Sequence, residues 1–319
     1  MINIDSTEVS RLLPLPSLVA TLADAFTREV TVPLRQTLRL PRDVAHVGTS
    51  LLMPAWEASG YYGVKIVNIF PDNRLRGLPG LHSIYILFDG STGVPLAILD
   101  GDAITSRRTA AASALGVKLL ANPGASRLLV VGAGRVGRLL GPAIASVRQL
   151  ESVEVWNINP QTAQACAAQW QEEGLNARAV DDLEAAVRRA DIVSCATLAT
   201  EPLIKAEWLG EGSHLDLVGS FTPAMTEAHP ACFANAGVWV DTREAVQKSG
   251  DVLNAIAGGH LSIEAIQGDL AQLCRGECGA RQSRTQRTVF KAVGTALEDL
   301  AAAKRVYEQS AVSERRSAA

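Results

Sequence analysis

The chain has no excess of charge, no long apolar run and few cysteines, and each absence removes a class of function. Lys and Arg number 30 against 33 Asp and Glu, a formal net charge of −3. That balance argues against a nucleic-acid or anionic-membrane binder. No uninterrupted apolar stretch approaches the ~18 residues of a membrane span. The start, Met1-Ile2-Asn3-Ile4-Asp5, lacks the basic segment and apolar run of a signal peptide. The five cysteines (Cys166, Cys195, Cys232, Cys274 and Cys278) are an odd number, which suits reduced thiols. Cys274 and Cys278 have no Cys or His pair beside them at zinc-ligand spacing, and the five His include no HExxH-like pair, so no metal site is expected. What is present is a chain of 319 residues, 47% apolar and 20% charged. It is long enough for one large α/β domain or two ordinary ones, and its composition is that of a globular, cytoplasmic protein rather than a disordered one.

The chain changes rhythm near its first third. Leu18 to Phe26 has helical periodicity, whereas Gly63 to Phe70 and Ser83 to Phe88 are β-branched and aromatic runs bounded by Pro, Gly and Asp. Ser91-Thr92-Gly93 reads as a hairpin turn into a strand over 94–99, so this part predicts an antiparallel or mixed sheet. From Ser126 onward, strands and helices alternate. Strands are expected at 127–131, 153–156, 176–180, 190–196, 213–218 and 237–241, with helices at about 135–147 and 161–173. That alternation predicts a doubly wound parallel sheet. Arg287 to Tyr307 reads as one long helix with Val289, Val293, Leu297 and Leu300 on one stripe.

The end of the first strand in this region carries Gly132-Ala133-Gly134-Arg135-Val136-Gly137, a G-x-G-x-x-G between a strand and a helix. Gly132 permits the tight turn and Gly134 lets backbone amides approach a pyrophosphate at the helix N-terminus. Gly137 lets the helix pack closely on the strand. The residue that reads the adenosine ribose stands about 20 residues further on, where the sequence offers Asn157, Ile158 and Asn159. No Asp there bars a 2′-phosphate, and no Arg at 158 or 159 clasps one. The expectation is NADPH, with NADH also accepted.

Several motifs in order extend beyond this fingerprint: Gly63-Val64-Lys65-Ile66-Val67 with Phe70-Pro71-Asp72-Asn73, Leu99-Asp100-Gly101, and Thr105 to Ala112. The glycine motif follows, then Phe290-Lys291-Ala292-Val293-Gly294 with Glu298-Asp299-Leu300. On these the chain resembles the ornithine cyclodeaminase/μ-crystallin family from about Pro14 to Ala303. The resemblance implies a homodimer with a Rossmann doubly wound sheet inserted into a mixed α+β substrate and dimerisation domain. The domains would be 1–113 with 287–319, and 114–286. It implies that Arg35, Lys65 and Arg108 line the substrate pocket facing the nicotinamide, with Arg108 at a helix start. Their chemistry fits an α-imino acid, whose carboxylate an Arg can grip with two parallel hydrogen bonds. A Lys in the otherwise apolar run around Lys65 also needs a partner. By position, the coenzyme contacts are the turn at Ala133, Arg135 and Val136, then Asn157 and Asn159 at the ribose. Thr197, Val218, Gly219 and Ser220 would approach the nicotinamide.

One departure separates the chain from the cyclodeaminases it resembles. Those carry an Asp in a Val-Gly-x-Asp-x-Pro context that manages the substrate amine, and here Val218-Gly219-Ser220-Phe221-Thr222-Pro223 puts Phe221 in that place. A phenyl ring accepts no proton but can pack on a flat ring. The pattern is similar to the Δ1-pyrroline-2-carboxylate and Δ1-piperideine-2-carboxylate reductases of the family. It implies reduction of these small cyclic imino acids to L-proline and L-pipecolate in hydroxyproline and lysine catabolism, with Lys65 orienting or protonating the imine. Another nicotinamide-dependent amino or imino acid reaction, ornithine cyclisation included, stays open, as does a non-catalytic NADPH-binding, crystallin-like protein.

Overall fold

The computed structural model describes residues 1–43, 46–58 and 60–317. Two compact units divide the chain: Met1–Arg108 with Thr295–Ala319, and Thr109–Gly294.

The first unit opens with β1 (Ile2–Ile4), α1 (Ser6–Leu12), α2 (Leu15–Ala25) and β2 (Val30–Thr31). Four long strands follow, β3 (Gln36–Asp43), β4 (His46–Glu57), β5 (Tyr61–Ile69) and β6 (Leu81–Asp89), and then β7 (Pro95–Asp100). They form one seven-stranded sheet in the order β1-β7-β6-β5-β4-β2, with β3 also on β4. Only β1 and β7 pair in parallel; the rest are antiparallel. The turn at 91–93 is built by Asp89, whose carboxylate accepts from the amides and hydroxyls of Ser91 and Thr92. In β5 burial alternates with period two, so Gly63, Lys65 and Val67 share the covered face. Lys65 therefore points the way its apolar neighbours do, and Tyr85 of β6 stands directly opposite it.

Helix α3 (Gly101–Leu120) crosses the boundary between the units. It begins seven residues before Arg108, not at it. Asp100 caps the helix by accepting from the Ala103 amide at 2.7 Å, which puts Arg108 about two turns into regular helix.

The second unit alternates β8 (Arg127–Val131), α4 (Gly137–Ala145), β9 (Ser152–Trp156), α5 (Pro160–Glu172), β10 (Ala177–Ala179), α6 (Leu183–Arg189), β11 (Ile192–Cys195) and β12 (His214–Leu217). Then come β13 (Ala236–Val240), α7 (Ala245–Lys248), α8 (Gly250–Ala257), β14 (Ile266–Asp269), α9 (Leu270–Arg275) and β15 (Arg287–Lys291). All eight strands are parallel in the order β10-β9-β8-β11-β12-β15-β13-β14. This is the doubly wound Rossmann sheet. Its inner strands are buried on both faces, as β11 and β12 are at every residue, so they read as continuous apolar runs rather than alternations. The order reverses between β8 and β11, and ligands of such sheets bind at the carboxyl ends of the strands beside that reversal.

The long helix expected over 287–307 is corrected. Residues 287–291 are a strand, β15, between β12 and β13, and the helix, α10 (Ala296–Ser317), starts only afterwards. Thr288-Val289-Phe290 is a β-branched and aromatic run, and Gly294 at φ 78° interrupts any helix before it reaches Ala296. The amides of Val293 and Gly294 donate instead to Asp241 at 2.8 and 2.6 Å. Residues 287–294, expected with the first domain, thus lie in the second unit. In the first unit α10 packs on α2 and on β4, β5 and β6, and brings Glu298 and Asp299 in its first turn to the covered face of the sheet.

Candidate active site

In the first unit, Lys65 and Arg108 meet around one carboxylate. Lys65 Nζ lies 2.6 Å from Asp299 Oδ2, and Arg108 Nε lies 2.9 Å from Asp299 Oδ1. Arg108 Nη1 is 2.7 Å from Glu298 Oε2, and Lys65 also donates to Thr105 Oγ1 at 3.1 Å. All four charged groups are buried, Lys65 at 1% exposure and both carboxylates at 0%. Burial alone would raise the Asp299 carboxyl, but Lys65 and Arg108 overcome it and hold it below the usual carboxylate range. Burial brings the Lys65 ammonium down to about 8; Asp299 pulls it up, and Arg108 and Arg35 push it down. Arg35, half-buried just ahead of β3, is thus close enough for its charge to be felt at Lys65. Three cations thus gather near the two carboxylates. Tyr85 completes the surroundings: its hydroxyl is buried and without a hydrogen-bond partner, and Asp299 helps hold the proton on it.

Sequence reasoning nominated the cations and missed Glu298, Asp299, Thr105 and Tyr85 as members of the cluster. The signal was available for Asp299. A Lys inside an apolar strand requires a counter-charge, and an adjacent Glu-Asp pair opening an otherwise apolar helical stripe is where one stands.

In the second unit the glycine turn is shaped for a pyrophosphate. Gly132 has φ 102°, and a Cβ there would crowd the Ala196 carbonyl oxygen at 2.6 Å. A Cβ on Gly137 would overlap the Gly132 carbonyl, whereas one on Gly134 would meet nothing, so that side of the turn is open. Helix α4 begins behind Val136 with no side-chain cap; the Arg138 and Leu139 amides donate to the Gly134 and Val136 carbonyls, so an anion would be received at the turn ahead of them. Arg135 is exposed at the same turn and Ala133 is buried. The donor set fits a dinucleotide. Asn157 Oδ1 accepts from the Ala133 amide at 3.0 Å and its Nδ2 donates to the Asn159 carbonyl at 3.1 Å, while Asn159 caps α5 through the Thr162 amide. The Asn157 side chain therefore ties the turn to the segment after β9, the Asn159 side chain holds the start of α5, and Ile158 between them is 87% exposed.

Thr197 follows β11, and Val218, Gly219 and Ser220 follow β12, so all four stand at carboxyl ends of adjacent strands. The Thr197 amide and hydroxyl both donate to Glu227 Oε1, at 2.7 and 2.8 Å, and the Gly219 amide donates to Glu227 Oε2 at 2.6 Å. Ser220 is buried and donates to the Met225 carbonyl at 2.6 Å. Phe221 is 38% exposed just beyond. Among the described residues no group of three or more His, Cys, Asp or Glu is placed to hold a metal ion, and no helix is long and apolar enough to cross a membrane.

The ornithine cyclodeaminase/mu-crystallin family model matches residues 4–314. The chain belongs to that family. It is 40% identical over 282 residues to a Delta(1)-pyrroline-2-carboxylate reductase of Paracoccus denitrificans, covering 86% of this chain and 89% of that one. Among solved structures it is similar to the Delta(1)-pyrroline-2-carboxylate reductase of Thermococcus litoralis in complex with NADH and L-proline, with a TM-score of 0.92 at 30% identity and 98% of each chain covered. It is also similar to the iminosuccinate reductase of Paracoccus denitrificans in complex with NAD+, with a TM-score of 0.89 at 27% identity, covering 98% of this chain and 97% of that one.

Proposed function

We propose that the imine this oxidoreductase reduces with a nicotinamide coenzyme is a small cyclic one, Δ1-pyrroline-2-carboxylate or Δ1-piperideine-2-carboxylate, giving L-proline or L-pipecolate. The observation that carries the reading is the buried cluster in which Lys65 and Arg108 meet on Asp299, with the half-buried Arg35 near enough for its charge to act on Lys65. Cations gathered this closely repel one another, and a substrate carboxylate among them relieves the repulsion and can be gripped by two parallel hydrogen bonds from an Arg. Two of the relatives named above are Delta(1)-pyrroline-2-carboxylate reductases, one of them in complex with NADH and L-proline, which supports the reading.

The coenzyme, when bound, supplies the hydride that adds to C2 of the imine. The chain's own residues do the rest. Arg108 and Arg35 hold the carboxylate and so fix which carbon is presented. An ammonium has three N–H donors, and the contacts of Lys65 with Asp299 and Thr105 take two. Its third orients the ring nitrogen and provides the proton that nitrogen gains as the carbon gains hydride. Phe221 packs on the ring, standing where a cyclodeaminase needs a carboxylate. The turn from Gly132 to Gly137 receives the pyrophosphate, with Ala133, Arg135 and Val136 at its rim. Asn157 and Asn159 face the ribose, and Thr197, Val218, Gly219 and Ser220 face the nicotinamide. The absence of a carboxylate at 157–159 admits NADPH as the preferred coenzyme, with NADH accepted. The enzyme works as a cytoplasmic homodimer.

The test is loss of coenzyme absorbance with each imine and each coenzyme, beside ornithine with NAD+. Expected are turnover on one or both cyclic imines, formation of the L-amino acid, and no ornithine-dependent reduction of NAD+. Tight coenzyme binding without oxidation on either imine overturns the reading.

A further inference from the structure

We propose that Glu227 is a positioning residue for the nicotinamide end of the coenzyme, because its one carboxylate clamps together the loops that leave β11 and β12. The inference deepens the coenzyme reading above and rests on it. Glu227 lies in the loop between β12 and β13, far in sequence from the glycine turn. Oε1 receives the amide and hydroxyl of Thr197, and Oε2 receives the amide of Gly219. Three donors from two separate strand ends thus converge on one side chain with no exposed surface.

The fit is close. A Cβ on Gly219 would overlap both the Thr197 carbonyl oxygen and Glu227 Oε1, so position 219 admits only glycine while the carboxylate stays. Glu227 is itself held at its backbone. Its amide donates to Asp251 Oδ1 at 2.7 Å, and its carbonyl receives the amides of Leu203 and Ile204 at 2.8 and 3.1 Å. Behind the clamp stands the buried Lys291, whose Nζ is 3.3 Å from Asp251 Oδ2 and 4.0 Å from Glu227 Oε2. Burial holds the Glu227 carboxyl above its ordinary range; Lys291 and the two backbone amides oppose this only in part, and Asp251 adds to it. An ionised carboxylate accepting amide hydrogen bonds fixes loops more firmly than a neutral acceptor does. The carboxyl ends of β11 and β12 lie next to the reversal in strand order, where the half of a dinucleotide beyond the pyrophosphate is received. Glu227 touches no substrate atom in this account and acts only through the Thr197 amide and hydroxyl and the Gly219 amide.

ADP-ribose separates this role from a general structural one, since it carries the adenosine, the pyrophosphate and the second ribose but no nicotinamide. Calorimetric Kd values for NADH and ADP-ribose would be measured on the full chain and on Glu227→Gln. The expected result is NADH binding weakened roughly tenfold with ADP-ribose changed less than about twofold. Thr197→Val, which removes one of the three donors and keeps the backbone, should move NADH alone by roughly threefold. It keeps the proposal falsifiable if Glu227→Gln does not fold. Equal weakening of both ligands, or of neither, overturns the positioning role while leaving the coenzyme reading intact. Failure of the parent chain to bind NADH or ADP-ribose overturns the coenzyme reading and this inference with it.

Discussion

Each unit buries a cluster of charged groups, and the two clusters differ in what their carboxylates hold. In the first unit Lys65 and Arg108 face Glu298 and Asp299, and both carboxylates are directed at the cations. In the second, the single ammonium of Lys291 faces Asp251 and Glu227, and those carboxylates are engaged mainly by backbone amides and hydroxyls. Fixed donors of the chain satisfy an anion permanently, so the second cluster organises loops. The cations of the first cluster hold no backbone in place; they are set on two side-chain carboxylates, and the proposed function gives them an anion from outside to grip. The same burial therefore serves architecture in one unit and recognition in the other.

The most severe way to break this contrast is to remove the lone cation. Lys291→Met keeps the volume and leaves Asp251 and Glu227 buried without a counter-charge. Breaking a buried pair in this way costs about 3–5 kcal/mol, which should appear as a large drop in the denaturation midpoint. A loss below about 1 kcal/mol would show that the amides alone carry both carboxylates.

Next in size is Arg108→Ala. Lys65 still neutralises Asp299 in this variant, but buried Glu298 loses the guanidinium paired with it, so the stability loss should approach that of Lys291→Met. The reaction should lose a hundredfold or more in kcat/KM on the cyclic imine, the scale of lost substrate positioning and about 2.7 kcal/mol. If steady-state rates on folded protein fell less than about threefold, the carboxylate-anchoring account of the first cluster would fail.

The contrast was unequally legible in the sequence. Lys65 announced itself, because a lone cation in Gly63-Val64-Lys65-Ile66-Val67 breaks a β-branched run. The glycine turn was legible for a related reason, since Gly132 and Gly137 are demanded by local backbone geometry and local geometry is written in neighbouring residues. Glu227 gave no such signal. Its partners are 30 and 8 residues away, and nothing in Thr226-Glu227-Ala228 separates it from a surface acid until the strands are assembled. The strand at 287–291 was misread because two apolar residues four apart, Val289 and Val293, extend the true helical stripe of Leu297 and Leu300 backwards. β3 and β4 carry little periodic signal, since Pro41, Gly48 and Pro54 interrupt them, and β4 is fixed by its pairing with β3 and β5.

The mildest test sharpens the second cluster through Asp216 of β12. Its Oδ2 accepts from the Ser113 and Ser194 hydroxyls while Oδ1 has no hydrogen-bond partner. Burial raises this carboxyl from 3.8 to about 6, opposed by the two hydroxyls and by Lys291. Between about pH 4 and 6 the folded chain therefore keeps a proton that the unfolded chain has released. Stability from this group falls as pH rises through that window, and the cost is fully present above about pH 6. Asp216→Asn cannot ionise and lacks this slope. Its new amide donor, placed where Oδ1 has no partner, imposes a penalty that does not change with pH. Denaturation midpoints at about pH 5 and pH 7.5 should thus show the variant gaining on the parent by on the order of 1 kcal/mol at the higher pH. A difference that stayed constant would mean that Asp216 ionises at its ordinary value, and that Lys291 balances three carboxylates rather than two.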